Sequence, residues 1–231
     1  MRSAKSIGRI IGMLLPMHLA AGLILPYMLL QPLTRVAGGF LENAAGMPYQ
    51  IRLNVLVLFV GGAIPVGIAV TAWPVFRRHG YALGLWLLAL SAVNLSLQAV
   101  ENGHWLSMLS LSQAYAEAGA ADAGLFRSLG IVVRSAWKWA HYSHIFIAVS
   151  WIFVLYSLLY RYALVPRALA AVGLVTAMLQ FVGITLPVFL GYRMPFPEIF
   201  GMPLGVAYLA LALWLMAKGF DERQHPVSSE A

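Results

Sequence analysis

The sequence predicts an all-α polytopic membrane protein, a bundle of six transmembrane helices. Of the 231 residues, 61% are hydrophobic and only 10% are charged, whereas a soluble domain carries about a quarter charged residues. This inventory cannot cover a water-facing surface, which excludes an ordinary cytoplasmic enzyme and a nucleic-acid-binding protein. The sequence contains no Cys, so disulfides, thiolate catalysis and thiolate metal ligands are excluded as well.

Six apolar stretches are long enough to cross the hydrocarbon core of a bilayer, which requires about 20 residues of helix. The first stretch follows basic residues as a secretory signal does, but its apolar run is too long for a signal core, so we expect an anchoring span. The third and fourth spans continue an apolar pattern beyond the bilayer. The spans of this single integral membrane domain are predicted at residues 9–30, 53–76, 81–110, 131–160, 167–190 and 199–218.

The distribution of basic residues predicts that both termini are cytoplasmic. In this orientation nine Lys and Arg residues fall in cytoplasmic segments and four in external ones, with Arg134 and Lys138 near the start of the fourth span. Short cytoplasmic loops are the ones that carry excess positive charge. The formal charge of +7 is therefore assigned to topology and to acidic lipid headgroups. The expected location is the bacterial inner membrane. The cytoplasmic set is Arg2, Lys5, Arg9, Arg77, Arg78, Arg161, Arg167, Lys218 and Arg223.

Polar residues follow helical spacing in the third and fourth spans. Ionisable groups inside a span are costly and mark a functional site by default. In each of these spans three polar residues recur at i, i+4 and i+7, which places them on one helical face. They are Asn94, Gln98 and Glu101 in the third span, and Arg134, Lys138 and His141, followed by His144, in the fourth.

Depth along the spans indicates which of these residues meet. With a rise of about 1.5 Å per residue, Glu101, His141 and His144 lie about 25–30 Å from the cytoplasmic boundary. Gln180 on the fifth span lies about 20 Å from the same boundary. The sequence therefore predicts a polar pocket in the outer leaflet, formed by spans three to five, that binds an amphipathic or lipid-soluble molecule.

Acid–base chemistry without a cofactor is one use of such a pocket. Glu101 would act as acid or base and His141 or His144 as its partner. The substrate would be oriented by amides and enclosed by indole rings and a cation. The residues predicted to bind substrate are Asn94, Gln98, Trp105, Trp137, Lys138 and Gln180.

Metal and haem binding are alternatives that the residues leave open. Carboxylate and imidazole groups at i, i+3 spacing on two helices suit zinc or another divalent ion, although the HExxH signature is absent. Haem could be held by His104 together with His141 or His144. The predicted metal ligands are Glu101, His104, His141 and His144.

A structural role for the same cluster is the competing interpretation. Glu101 would then pair with Arg134 or Lys138, and the tryptophans would form an interfacial aromatic belt. In that case the protein would be a non-enzymatic binder, sensor or complex subunit.

The expected partners of the protein are the lipid bilayer and a hydrophobic small molecule, and a homodimer is left open. No matching pair of interrupted spans is evident, which disfavours a transporter, and His18 is expected to bond a neighbouring helix.

The C-terminal part of the chain carries the motifs of a known family. From His141 the sequence reads HYSHIFIAVSWIFVLYSLLYRYALVPRALAAVGLV and later ends ALALWLMAKGF. The basic LLYR exit from a span, the V-P-R-x-L-A re-entry and the closing L-W-L-x-x-K-G-F resemble the bacterial membrane family catalogued as domain of unknown function 4386. The likeness extends over about the last 90 residues by motif, and over the rest by span pattern. It implies a multi-span membrane fold in which His141 is similar to a histidine that often opens the corresponding span.

Overall fold

The computed structural model describes residues 3–35, 39–118, 122–192 and 197–221, and these residues are almost entirely helical, without a strand among them. Six helical stretches within these ranges are long and apolar enough to cross a membrane. The predicted all-α architecture of six spans is therefore confirmed. The six stretches are Ala4–Leu30, Pro48–His79, Tyr81–Ala118, Ala123–Arg161, Arg167–Phe189 and Ile199–Lys218.

The helical elements follow one another with short connections. The described α-helices are α1 (Ala4–Leu19), α2 (Leu25–Arg35), α3 (Gly39–Asn43), α4 (Pro48–His79), α5 (Tyr81–Ala118), α6 (Ala123–Arg161), α7 (Arg167–Gln180), α8 (Leu186–Phe189) and α9 (Pro197–Lys218). A π-helical turn, Ala20–Ile24, joins α1 to α2, and a second one, Phe181–Thr185, joins α7 to α8.

Helices α5 and α6 extend further toward each other than the sequence predicted. With 38 and 39 residues they are about 57 Å long, against about 30 Å of hydrocarbon. The predicted spans ended at residue 110 and began at residue 131, because the segment between them is polar and rich in Ala and Gly. Alanine is the best helix former, which explains how each helix continues into a segment of low hydropathy.

The two π turns share a sequence pattern and a position before proline. Both read G-x-x-L-P, with glycine at Gly22 and at Gly183. In each turn the N–H of the leucine donates five residues back, from Leu25 to Ala20 O and from Leu186 to Phe181 O. Since a proline ring collides with the carbonyl four residues earlier in an α-helix, a wider turn relieves that clash. The first and fifth spans thus share a π turn before proline, a feature that sequence reading did not find.

The backbone contacts divide the chain into two compact units. The first unit comprises Met1–Met17, Ile64–Ala92 and Ile145–Ala231, and the second comprises His18–Ala63 and Val93–His144. In the second unit, a core of buried residues from α2, α4 and α5 surrounds Trp105. The prediction of a single domain stays a prediction.

In the first unit the last helix ends as its sequence indicates. Helix α9 ends at Lys218, and Gly219 follows with φ +72°, the left-handed conformation that glycine adopts at no steric cost. Phe220 is then buried, with its ring 5.9 Å from that of Phe76. The K-G-F motif is therefore a helix stop followed by an anchor.

Glycines in α1 allow it to approach the end of α9 closely. Gly8 and Gly12 are buried at the small-x-x-x-small spacing that brings membrane helices together. A Cβ at Gly12 would lie 2.5 Å from the backbone nitrogen of Met216. Because that neighbour is backbone, it cannot rotate away as a flexible side chain can.

Gly12→Ala is expected to destabilise the protein by about 1–3 kcal/mol, the usual cost of overpacking. Gly67→Ala is the matched control, because Gly67 lies in α4 with no atom near its Cβ position. SDS titration of both variants in mixed micelles measures the difference. Equal unfolding midpoints would show that the close approach of α1 to α9 does not contribute to stability.

Candidate functional site

A carboxylate hydrogen-bonded to two imidazoles lies in the second unit. Helix α5 supplies Glu101, and α6 supplies His141 and His144. Nδ1 of His141 lies 2.9 Å from Oε1 of Glu101, and Nδ1 of His144 lies 3.0 Å from Oε2. Each carboxylate oxygen therefore has its own imidazole partner. The predicted convergence of these three residues is confirmed.

The carboxylate fixes which nitrogen of each imidazole carries hydrogen. An ionised carboxylate only accepts hydrogen bonds, so Nδ1–H of His141 and Nδ1–H of His144 are the donors. In a neutral imidazole the hydrogen sits on one nitrogen and the other is a basic acceptor. The geometry therefore gives both histidines a basic Nε2 directed away from Glu101.

Exposure differs strongly across the three side chains. The Glu101 side chain is 5% exposed, that of His144 16% and that of His141 36%. A buried carboxylate requires hydrogen-bond partners because its desolvation is costly, and the two imidazoles provide them. His141 is consequently the member of the cluster that is accessible to a bound molecule.

Aromatic rings extend from His141 along one side. The Trp137 ring stacks on the His141 ring at 5.3 Å and 16°, and Trp105 meets Trp137 edge-on at 5.0 Å. The Nε1 atoms of both indoles are buried and have no hydrogen-bond partner among the described residues. Buried indole N–H groups usually find an acceptor, so these two are unsatisfied donors inside the aromatic wall.

Amide side chains lie on the same helix, N-terminal to Glu101 and directly after it. Nε2 of Gln98 donates to Oδ1 of Asn102 at 3.1 Å, and Nδ2 of Asn102 donates to the Val55 carbonyl at 3.3 Å. Asn94 is 2% exposed, and its Oδ1 is an unpartnered acceptor within the described ranges. Sequence reasoning missed Asn102, although its spacing of four residues from Gln98 was the available signal.

A third histidine approaches the cluster from the first span. His18 lies within electrostatic range of His144, just before the first π turn. Gly22 lies in that turn, and a Cβ built there would be 3.9 Å from Nε2 of His18. The sequence assigned His18 only a bond to a neighbouring helix. A lone histidine in an apolar span gives no signal for a particular partner.

Other predicted residues lie outside the hydrogen-bonded cluster. The His104 side chain makes no hydrogen bond or ring contact within the described part of the chain. Nζ of Lys138 lies 5.4 Å from the Trp139 ring centroid. The alternative pairing of Glu101 with Arg134 or Lys138 is wrong, since both carboxylate oxygens bind histidine. Gln180 is half-buried at the end of α7, in the first unit, and its role stays a prediction.

The predicted metal ligands do not form a ready metal site. Among the residues that the structure describes, no group of three His, Asp or Glu side chains is arranged to hold a metal ion. The reason lies in the Nδ1 atoms, which point at separate oxygens of Glu101 rather than at a shared centre. The prediction of metal or haem binding stays a prediction.

Comparison with known proteins gives one match. The family model described as domain of unknown function (DUF4386) matches residues 10–219. That range includes both π turns, the Glu101 cluster and the K-G motif at the end of α9. Neither the comparison with curated proteins nor that with solved structures finds a match.

Proposed function

We propose that this chain, which belongs to the DUF4386 family, binds an amphipathic or lipid-soluble molecule beside His141. His141 accepts a proton or a hydrogen bond from that molecule at Nε2, as a general base does. The observation that supports this is the pair of imidazoles bound through Nδ1 to one buried carboxylate.

The surroundings of His141 suit a molecule with an apolar body and a polar hydrogen. Trp137 offers a flat apolar face next to the imidazole, and Nε2 of His141 accepts the polar hydrogen. Glu101 holds the ring of His141 in place and stabilises it when it becomes protonated, the role that a carboxylate has behind a catalytic histidine. His144 is a second base, placed deeper.

The proposed orientation places both termini in the cytoplasm of a bacterium. It is supported by the nine basic residues in the segments that would then be cytoplasmic, according to the positive-inside rule. In this orientation the facing ends of α5 and α6 are external. The Glu101 cluster then belongs to the outer leaflet, where a lipid-soluble molecule enters from the bilayer.

Nitrogen-15 NMR of histidine-labelled protein in phosphatidylcholine nanodiscs tests the proposal. The free protein is expected to show His141 with hydrogen on Nδ1 and a basic Nε2. Addition of 4-dodecylphenol is expected to shift the Nε2 resonance of His141 to its hydrogen-bonded position. The methyl ether of the same phenol has the same chain but no acidic hydrogen, and it is expected to leave the resonance unchanged.

Histidine and glutamate variants, together with tests for metal and haem, distinguish base function at His141 from a structural cluster and from cofactor chemistry. Assignment uses His141→Gln, which removes the resonance, and Glu101→Gln, which is expected to weaken the response. A Nε2 resonance that ignores the phenol would contradict the base function and favour a structural cluster. Elemental analysis showing a stoichiometric metal, or a Soret band, would replace metal-free chemistry by a metal- or haem-assisted mechanism.

A further inference from the structure

A cavity in the second unit lies apart from the Glu101 cluster. Its volume is about 240 Å³, and it is bounded by α3 and by the facing ends of α5 and α6. Apolar side chains form most of its wall, among them Phe40, Met108 and Ile131.

Two arginines give the apolar cavity a cationic side. Arg127 and Arg134 both line it and lie seven residues apart on α6, so they share one helical face. Both are exposed. Within the described ranges neither makes a salt bridge, since the ion pairs found there join Glu101 to histidines. Their guanidinium groups are therefore available to an external anion, and guanidinium binds carboxylate and phosphate in bidentate fashion.

The acidic residues nearest in sequence do not neutralise this side. Glu42 follows the cavity residue Leu41, and Asp122 precedes Arg127 by five residues. Both acidic side chains are exposed and neither forms an ion pair with a described residue. The cavity thus combines two unpaired cations with a mainly apolar wall, a combination that complements an anionic amphiphile.

The size of the cavity limits the ligand. Ligand pockets usually measure about 300–1,000 Å³, so 240 Å³ suits a headgroup and part of one chain rather than a whole phospholipid. The distance along α6 from Arg161 indicates how deep in the membrane the cavity lies. Arg134 lies about 40 Å from Arg161 at helical rise, beyond about 30 Å of hydrocarbon, which places it at the depth of headgroups or outside them.

We infer that this cavity binds a single-chain anionic amphiphile, with its carboxylate or phosphate monoester on Arg127 and Arg134 and the first part of its chain against the apolar wall. Phe40 lines the cavity and also contacts Trp105 at 5.5 Å between ring centroids. Trp105 in turn contacts Trp137, which stacks on His141. Binding in this cavity does not require His141 to act as a base.

Native mass spectrometry of the purified full chain tests the inference, with dodecyl phosphate as probe. The wild-type protein is expected to retain one molecule. The double variant Arg127→Gln, Arg134→Gln is expected to bind at least tenfold more weakly, because it loses the charge-assisted hydrogen bonds. Arg52→Gln is the matched control, since Arg52 is equally an exposed arginine of the second unit, and it is expected to bind like the wild type.

Two substitutions of Gly130 test the apolar wall that would hold the alkyl chain of the ligand, and neither alters charge. A Cβ at Gly130 would contact Leu41 at an ordinary 3.6 Å, so Gly130→Ala is expected to fold and bind. Gly130→Leu places three further carbons in the cavity and is expected to lose dodecyl phosphate. Both substitutions raise helix propensity, so loss of folding is not the expected cause.

Comparing probes shows whether the cavity binds an anionic amphiphile, a neutral alkyl chain or free phosphate. Dodecanol, which lacks the charge, is expected to bind at least tenfold more weakly than dodecyl phosphate. Inorganic phosphate is expected not to compete at equal concentration, because it has no chain. Equal binding of dodecanol, full competition by inorganic phosphate, or unchanged binding in the double arginine variant would each overturn the inference.

Discussion

Glu101→Leu is expected to lower the free energy of unfolding by about 1–3 kcal/mol, the cost of leaving a buried hydrogen-bond donor without its acceptor. Leucine is close to glutamate in volume, so the loss comes from the two Nδ1 donors left without an acceptor. Glu101→Gln is expected to cost less. Its amide accepts from one imidazole and donates to the other, which forces that second imidazole to carry hydrogen on Nε2.

SDS titration in mixed micelles measures both variants, and Glu117→Gln is the control. Glu117 lies in the same helix but is exposed and makes no ion pair with a described residue. Its substitution is expected to change the unfolding free energy by less than about 0.5 kcal/mol. A Glu101→Leu protein as stable as the wild type would show that the cluster contributes nothing to folding.

Gly173→Val is expected to destabilise the first unit by about 3 kcal/mol or more, at the upper end of the cost of overpacking. A Cβ at Gly173 would overlap the ring of Tyr156, which is fully buried. The ring has no free space into which it can turn, because packing in the interior is dense. Thermal unfolding in detergent measures the loss.

A double variant identifies the cause of that loss. Tyr156→Leu by itself leaves a cavity and is expected to destabilise the protein. Combined with Gly173→Val it makes room for the new side chain, so the two effects are expected to be less than additive. Gly205→Val in α9 is the control, because no atom lies near the Cβ position of Gly205. Strict additivity would contradict the packing explanation.

The six spans could be predicted because each is an apolar run whose minimum length is set by the bilayer. The ends could not, as α5 shows: it continues to Ala118 through residues that hydropathy alone assigns to a loop. Hydropathy reports which environment a residue prefers, whereas helix propensity decides where the backbone stops. The π turns before Pro26 and Pro187 escaped prediction because a proline predicts an interruption without specifying its geometry.

The meeting of Glu101 with His141 and His144 followed from counting residues along two antiparallel spans. Counting gives depth but not the direction in which a side chain points around the helix. For that reason Gln98 was expected to orient a substrate, and its hydrogen bond to Asn102 in the structure was not foreseen. The cavity at Arg127 was missed because it depends on α3, a short helix with no sequence signal of its own.

The first π turn has a consequence for how this chain tolerates changes of length. A π turn contains about one residue more than the α-helical turn that would replace it, so it acts as a single-residue insertion within the first span. Deleting one residue between Ala20 and Ile24 would restore α-helical winding and leave the residues on both sides on the helix faces that they have now. A regular α-helix formed without that deletion would instead rotate everything before the turn by about 100°. Homologues with one residue fewer at this point should therefore keep His18, Gly8 and Gly12.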